Sequence, residues 1–346
     1  MVKRRTKDEK RGTWNVERTA DLSVTIGKIR MNNPIMVASG TFGYGKEYED
    51  IADLKKLGAI VSKTITLLPR TGNPSPRIVE TPSGMLNAIG LENDGVDSFI
   101  KEKMPYLKKI GIPVIVSIGG ESAEEFEKIA KRLSRVDGIA GLEINISCPN
   151  LSKRGTTDEG RRTKNVGRGT WDVGRGIRMF SQDAKATYEV VNKVRKATNL
   201  TLITKLTPNV TDIAEIARAA EDAGSDAVSL VNTYLGMAVN IDTRRPRLGN
   251  VTGGLSGPAI KPLALRAIWD VYKAVKIPII GMGGITTAHD VIEFMLCGAR
   301  AVALGTANFV QPNGYVDIID GLVDYMIRYD IKKIGELVGT LKAGKA

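Results

Sequence analysis

Short apolar runs alternate with segments of helical periodicity from about residue 30 onwards. The runs are six to eight residues long and apolar nearly throughout, which is typical of parallel strands buried on both faces. The predicted strands span residues 34–39, 59–66, 113–118, 141–147, 200–206, 227–233, 278–284 and 301–306. The predicted helices lie near residues 47–57, 96–109, 122–135, 182–197, 211–223, 259–275 and 287–297, with further helices after residue 306.

Eight strand–helix units in succession predict an α/β protein with (β/α)8 architecture, a TIM barrel. A doubly wound parallel sheet is the alternative, although eight regular units fit it less well. Three segments interrupt the alternation: an excursion after strand 2 (69–95), a basic insert after strand 4 (151–180) and a second excursion after strand 6 (236–257). We therefore predict a basic N-terminal extension over residues 1–27 and one barrel domain over residues 28–346, with the insert close to its active-site end.

Two basic segments of the chain resemble each other. Residues 5–18 (RTKDEKRGTWNVER) and 162–175 (RTKNVGRGTWDVGR) are identical at nine of fourteen positions and lie 157 residues apart, which is too far for a solenoid repeat. Neither copy shows a clean helical or strand period. Our hypothesis is a duplicated or inserted surface element, because surface loops accept insertions at little cost.

Composition narrows the class of protein. The 346 residues are 42% apolar and 25% charged, as in an ordinary globular protein. Two cysteines give no disulfide framework, so we expect a reducing cytoplasm. No apolar run reaches the roughly 18 residues that a membrane span needs, and the charged N-terminus lacks the apolar core of a signal peptide.

The net charge of +12 raises the question of nucleic-acid binding. Much of the charge is local: residues 1–20 hold seven Lys/Arg against three acids, and residues 151–183 hold eight against four. Neither segment interleaves aromatic residues as a base-stacking surface would. We interpret both as solvated basic surface and expect neither a nucleic-acid nor a membrane partner.

The end of the fourth predicted strand carries reactive chemistry. The strand leads into NISCPN, where Pro149 cannot donate to a sheet ladder and so ends the strand. Cys148 is then expected at the mouth of a loop, between the amides of Asn145 and Asn150, which suit a planar polar ring. The alternative is a buried cysteine that only packs.

Other predicted strands carry lysines or end in glycines. Lys63 and Lys205 fall within otherwise apolar strands, which is explained by an anionic or electron-accepting ligand, or alternatively by buried salt bridges. The glycines of 281–284 and 305–306 end the last two strands. TIM barrels often bind phosphate there through backbone N–H groups, although turn glycines are the alternative.

Several kinds of catalysis are excluded by residue type. The only histidine, His289, lies at a predicted helix start, so a Ser/His/Asp triad is not expected. No ligand cluster marks a metal site. A catalytic base is therefore expected to be a lysine or Cys148, while Cys297 is expected to pack in a helix.

Eight stretches point to a known family. They read NPIMVASG, GMLNAIGL, NISCPN, KLTPN, NTYLGM, TGGLSGPAIK, GMGG and GTAN, beginning at residues 33, 84, 145, 205, 232, 252, 281 and 305. From about residue 28 to 330 the chain resembles the dihydroorotate dehydrogenases, and specifically the class 1B catalytic subunits.

The resemblance implies oxidation of (S)-dihydroorotate to orotate in pyrimidine synthesis, with FMN as cofactor. Cys148 matches the base that takes the C5 proton, while the C6 hydride passes to flavin N5. The substrate-binding positions are Lys63, Asn87, Ile89, Gly90, Leu91, Asn145, Asn150, Asn232 and Thr233. The flavin-binding positions are Ala38, Ser39, Lys63, Thr64, Asn145, Lys205, Val231, Gly257, Gly283, Gly284, Gly305 and Thr306.

The resemblance also implies partners. Class 1B enzymes work with a second subunit that carries FAD and a 2Fe–2S cluster and passes electrons to NAD, so we expect a homodimer or a heterotetramer with that subunit. Direct use of fumarate or another acceptor is an alternative. Two different functions also fit part of the pattern: a phosphate-binding isomerase or lyase without flavin, and a basic RNA-binding or scaffold protein.

Two departures from the family pattern matter. Ser117 stands where the family often has an asparagine that contacts the flavin. The insert within 151–180 follows Cys148, in a loop that normally covers the active site. The sequence leaves open whether Ser117 keeps the contact and whether the insert alters closure.

Overall fold

A computed structural model describes residues 2–7, 14–146, 180–342 and 344 of the chain, with side-chain environments from residue 20 onwards. Cys148, Asn150 and most of the predicted 151–180 insert lie outside these ranges, as does the second copy of the repeated element.

Eight parallel strands form the centre of the described structure. In sheet order each strand pairs with its neighbour in sequence, and a bridge between Met36 and Ala59 joins the first strand to the start of the second. This sequential, closing order confirms the (β/α)8 prediction and excludes the doubly wound alternative. The strands are β1 (Ile35–Val37), β2 (Ile60–Val61), β3 (Val114–Ile118), β4 (Ile139–Asn145), β5 (Thr201–Lys205), β6 (Ala227–Leu230), β7 (Ile279–Gly281) and β8 (Ala301–Leu304).

Helices surround this barrel and turn their apolar faces onto it. Four of the helices begin with a side-chain cap: Ser122, Asp183, Asp212 and Thr287 each accept hydrogen bonds from backbone N–H groups of the first turn. The helices are α1 (Gly95–Ser98), α2 (Met104–Ile110), α3 (Ala123–Leu133), α4 (Ala184–Ala197), α5 (Ile213–Asp222), α6 (Lys261–Tyr272), α7 (Ala288–Leu296), α8 (Ala307–Val310) and α9 (Tyr315–Arg328).

The prediction of a helix near residues 47–57 is wrong. The chain forms two short 3₁₀ turns instead, Lys46–Tyr48 and Leu54–Lys56. Across residues 47–57 only Leu54 and Leu57 are buried, so a longer helix would have little apolar surface to pack. The predicted helix over 96–109 is present but contains a π-helical stretch, Phe99–Lys103, because Pro105 has no N–H to continue the α-helical pattern.

Two hairpins precede the barrel. Val24–Ile26 pairs with Ile29–Met31, and the inward side chains of this hairpin belong to the same apolar core as the barrel. Val2–Lys7 pairs with Trp14–Ala20, so part of the first repeat copy is strand although its sequence lacks a strand period. The pairing uses backbone hydrogen bonds, which do not require alternating side chains.

The two excursions combine into one antiparallel sheet that the sequence did not predict. Its strand order is Tyr234–Gly236, Gly253–Ser256, Gly84–Asn87 and Ile78–Thr81. A further hairpin, Val239–Asn240 with Arg245–Pro246, extends from the second excursion. Within the described ranges, no helix has the length and hydropathy needed to cross a membrane.

Candidate functional site

A cavity of about 640 Å³ opens at the carboxyl ends of the barrel strands, and the antiparallel sheet forms one of its walls. Its size is that of a small-molecule or cofactor site. Every predicted site residue within the described ranges lines it: Ala38, Ser39, Lys63, Thr64, Asn87, Ile89, Gly90, Leu91, Asn145, Lys205, Val231, Asn232, Thr233, Gly257, Gly283, Gly284, Gly305 and Thr306. The predicted residues Cys148 and Asn150 lie outside the described residues.

One end of the cavity is lined by glycine backbone. Gly283 and Gly284 follow β7 with φ of 125° and 76°, a region that side chains disfavour. A Cβ on Gly284 would lie 2.9 Å from the Gly257 carbonyl oxygen and 2.8 Å from Lys261 Cβ. At Gly305 an added Cβ would meet only Ala38 Cβ, at 3.9 Å, so this backbone faces open space. Such exposed backbone suits a phosphate group.

The loop after β7 is fixed by a buried carboxylate. Asp290 accepts hydrogen bonds from the backbone N–H groups of Thr286 and Thr287, both at 2.8 Å, and from Lys261 Nζ at 2.7 Å. Burial alone would raise the pKa of Asp290, but these hydrogen bonds outweigh it and lower the pKa to about 2. Asp290 therefore holds together the loop that carries Gly283 and Gly284.

This depressed pKa predicts a pH-dependent stability contribution. A carboxyl with a lowered folded-state pKa stabilises the protein above its unfolded pKa of 3.8, and the contribution is lost as pH falls toward about 2. Asp290→Asn should lower the urea midpoint most at neutral pH, and the difference from wild type should shrink below pH 3.8. Asp222→Asn, at an exposed position, is the control. An undiminished Asp290→Asn defect at the lowest pH would contradict this assignment.

A buried ion pair lies at the floor of the cavity, where Lys205 lines the cavity and Glu143 lies behind it. Lys205 Nζ at the end of β5 lies 3.6 Å from Glu143 Oε1 of β4, and the side chains are 5% and 3% exposed. The sequence was consistent with either a ligand or a salt bridge for this lysine, and the structure shows a salt bridge. Glu143 itself was missed, although a glutamate inside a strand buried on both faces is a signal that a partner exists.

Lys63 is less buried than its apolar strand suggested. Its side chain is 27% exposed, and its Nζ lies 4.0 Å from Glu92 Oε2. The same carboxylate oxygen accepts a hydrogen bond from Arg77 Nη1 at 2.9 Å. Glu92 thus joins the two basic side chains at the rim of the cavity, and Lys63 remains on the cavity wall.

Comparison with known proteins identifies the family. Residues 21–165 and 172–326 match the family model described as "Dihydroorotate dehydrogenase". The chain belongs to this family.

The chain is similar in sequence to curated relatives over nearly their whole length. The chain is 50% identical over 321 residues to a protein of Geotalea uraniireducens (strain Rf4), covering 93% of this chain and 98% of that protein. It is 53% identical over 319 residues to one of Desulforamulus reducens (strain ATCC BAA-1160 / DSM 100696 / MI-1), covering 92% and 98%. Both relatives are named "Dihydroorotate dehydrogenase B (NAD(+)), catalytic subunit".

In this dihydroorotate dehydrogenase family member, Ser117 lies below the cavity rather than on its wall. It is fully buried, and its hydroxyl donates to Glu143 Oε1 at 3.1 Å and lies 2.8 Å from Thr64 Oγ1. Thr64 Oγ1 in turn lies 3.0 Å from Ser39 Oγ and accepts a hydrogen bond from Asn145 Nδ2 at 3.0 Å. Ser117 therefore contacts Thr64 directly, and through Thr64 it is linked to Ser39 and Asn145, three residues that the sequence predicted to bind flavin.

Among the described residues, no group of three or more His, Cys, Asp or Glu side chains could hold a metal ion. Cys297 is half-buried just after α7, and burial raises the pKa of its thiol, which favours the unreactive protonated form. The family match favours a flavin enzyme over an isomerase, a lyase or an RNA-binding protein.

Proposed function

We propose that the chain is the catalytic subunit of a dihydroorotate dehydrogenase that oxidises (S)-dihydroorotate to orotate with bound FMN. Electrons then pass to NAD through a partner subunit. The observation that carries the proposal is a single cavity that joins a glycine-lined end, a buried lysine and a set of amide side chains. The relatives named as catalytic subunits of dihydroorotate dehydrogenase B (NAD(+)) support it.

The chain's residues fit FMN. Gly283 and Gly284 offer backbone at the cavity end where a phosphate would bind, and neither N–H has an acceptor within the described ranges. Lys205 places a cation at the floor, which favours the negative charge of a reduced flavin. When bound, FMN supplies the acceptor for the hydride that leaves C6 of the substrate.

Other residues of the cavity wall fit a planar ring that carries a carboxylate. Lys63 provides a cation there, and Asn87, Asn145 and Asn232 provide amides that donate and accept hydrogen bonds. Thr233 completes this group at the end of β6. These groups match the carboxylate, carbonyl oxygens and ring N–H groups of dihydroorotate.

Cys148 is the proposed base. Its thiolate removes the C5 proton, and the C6 hydride leaves in the same oxidation, so that a C5–C6 double bond forms and orotate results. This role rests on the family resemblance of the NISCPN stretch, in which Cys148 is flanked by Asn145 and Asn150. No other cysteine lines the described part of the cavity.

The electron acceptor requires a second protein. The chain has two cysteines, whereas a 2Fe–2S cluster is usually held by four, so this chain does not supply the cluster. We propose that a partner subunit with FAD and a 2Fe–2S cluster takes the electrons, in a heterotetramer built on a dimer of this chain.

Two assays test this proposal. The cofactor released by denaturing the purified chain should have the mass of FMN, not FAD. NADH should form from dihydroorotate only when the FAD and iron–sulfur subunit of a relative is added. NADH formation by the chain alone would contradict the need for a partner subunit. Full turnover of the chain alone with fumarate would mean that fumarate, rather than NAD, accepts the electrons.

Gly284→Ala tests the phosphate end. The added Cβ would approach the Gly257 carbonyl oxygen and Lys261, so the loop must shift, and we expect FMN content to fall at least tenfold. Gly111→Ala is a matched control, because Gly111 has a similar φ of 81° but no atom within 4 Å of an added Cβ. Equal loss of FMN in both variants would mean that backbone strain, rather than the phosphate end, is responsible.

A further inference from the structure

One buried charged group has no role in the chemistry above. Glu143 lies on β4, two residues before Asn145, so both side chains point to the same face of the strand, into the barrel. Asn145 lines the cavity, whereas Glu143 does not, which places Glu143 one layer deeper. A carboxyl group buried in the middle of a barrel is costly unless its surroundings stabilise it.

The surroundings of Glu143 are those of an ionised carboxylate. Ser117 of β3 donates to Oε1 at 3.1 Å, and Ser229 of β6 donates to Oε2 at 3.2 Å. Lys205 of β5 brings its ammonium group to 3.6 Å from Oε1. Four adjacent strands thus contribute to one site with two hydroxyl donors, one cation and one anion, and both carboxylate oxygens are engaged.

The order of these groups along the barrel axis has an electrostatic consequence. Lys205 lines the cavity, and Glu143 lies behind it, so a ligand at the floor experiences the lysine charge reduced by the carboxylate. Little water separates the two charges, because both side chains are almost completely buried. Such a pair interacts strongly with any charge that forms beside it.

We propose that Glu143 is a tuning residue for the flavin: its carboxylate offsets the charge of Lys205 and thereby lowers the electron affinity of the bound cofactor. The inference rests on the proposed function, because it assumes FMN in this cavity. Reduction by a hydride adds negative charge at the floor, which Lys205 favours and Glu143 opposes. The balance of the two side chains sets how far the flavin is driven toward its reduced form.

The test is the midpoint potential of the bound flavin, measured by titration with a chemical reductant against a redox dye. Glu143→Gln removes the charge but keeps the size and planar shape of the side chain, and a serine hydroxyl can rotate to accept a hydrogen bond from its amide group. We expect its oxidised–reduced equilibrium to shift at least tenfold toward the reduced flavin, which is about 30 mV for a two-electron couple. Lys205→Met should shift the equilibrium in the opposite direction.

Three further variants separate tuning from structural support. Ser229→Ala removes one hydrogen bond to the carboxylate without changing the charge. The oxidised–reduced equilibrium of its flavin should therefore stay within a few-fold of wild type. Glu143→Asp keeps the charge and should do the same. The double variant Glu143→Gln/Lys205→Met removes both charges. It should fold even if the single variants do not, because no unpaired charge remains buried. The midpoint potential of its flavin should be close to that of wild type.

The outcomes are distinct. An unchanged potential in Glu143→Gln, or a shift of the same sign in Glu143→Gln and Lys205→Met, would overturn the tuning role even in a fully active enzyme. If neither single variant folds, a double variant far from the wild-type potential would overturn it. A wild-type flavin that dihydroorotate does not reduce would reject the proposed substrate but not this inference, because the titration does not use dihydroorotate. A wild-type protein without flavin would overturn both.

Discussion

Replacing Cys148 with alanine is expected to slow the reduction of bound flavin by dihydroorotate by a factor of about 10²–10⁴, the usual contribution of a positioned base. The visible spectrum of the oxidised flavin should not change, because the substitution removes the base rather than a cofactor contact. Stopped-flow mixing without oxygen measures this step alone. A rate within a few-fold of wild type would show that another group removes the C5 proton.

The pH dependence of the same step identifies the base further. A free thiol has a pKa of about 8.5, and only the thiolate can accept a proton. The reduction rate should therefore rise about tenfold per pH unit below the pKa of Cys148 and level off above it. A flat profile from neutral pH upward would contradict thiolate catalysis.

Cys297 provides a matched control within the same chain. It is the only other cysteine, it is half-buried just after α7, and burial raises the pKa of its thiol. Cys297→Ala should leave both the rate and its pH profile unchanged. The comparison separates loss of the catalytic thiol from any general effect of removing a cysteine.

Replacing Lys205 with methionine is expected to cost about 3–5 kcal/mol of unfolding free energy in the flavin-free protein. The cost arises because Glu143 would remain buried at 3% exposure without its cationic neighbour. Far-ultraviolet circular dichroism in a urea series measures the loss. In the flavin-bound enzyme the same variant should also reduce flavin more slowly, since the cation at the cavity floor is gone.

Two controls accompany the Lys205 experiment. Lys108→Met breaks an exposed ion pair with Asp137 and should lower the unfolding free energy far less than Lys205→Met does. The double variant Lys205→Met/Glu143→Gln should recover most of the lost stability, since no unpaired charge remains buried. A loss for Lys205→Met no larger than for Lys108→Met would show that the Glu143–Lys205 pair is not a stabilising unit.

Much of the barrel could be predicted because its signal is local. Each strand is an apolar run flanked by turn residues, and parallel strands of a barrel bring their carboxyl ends together. Residues far apart in sequence, such as Ser39, Lys205 and Gly284, were therefore predictable as neighbours around one cavity. The glycines after β7 and β8 were recognisable for the same reason.

The features that sequence analysis missed depend on contacts between distant segments. The antiparallel sheet forms because Leu86 of the first excursion pairs with Leu255 of the second, 169 residues later, and neither segment shows this pairing by itself. The helix predicted near 47–57 fails because the surrounding fold buries only Leu54 and Leu57 there. In both cases tertiary structure decides, and local periodicity carries little information.

Glu143 was predictable only in part from the sequence. Its position in an apolar run indicated a buried charge, but its partners come from β3, β5 and β6 and could not be read from spacing. Lys205 was recognised as unusual, yet the choice between a ligand and a salt bridge needed the structure. The structure shows the salt bridge and also places Lys205 on the cavity wall.

The most direct test of the account is the visible spectrum of the purified protein during addition of dihydroorotate in the absence of oxygen. We expect a flavin spectrum that bleaches within a single turnover, with formation of an equal amount of orotate. A flavin spectrum that persists in excess dihydroorotate, or a protein that binds no flavin, would contradict it.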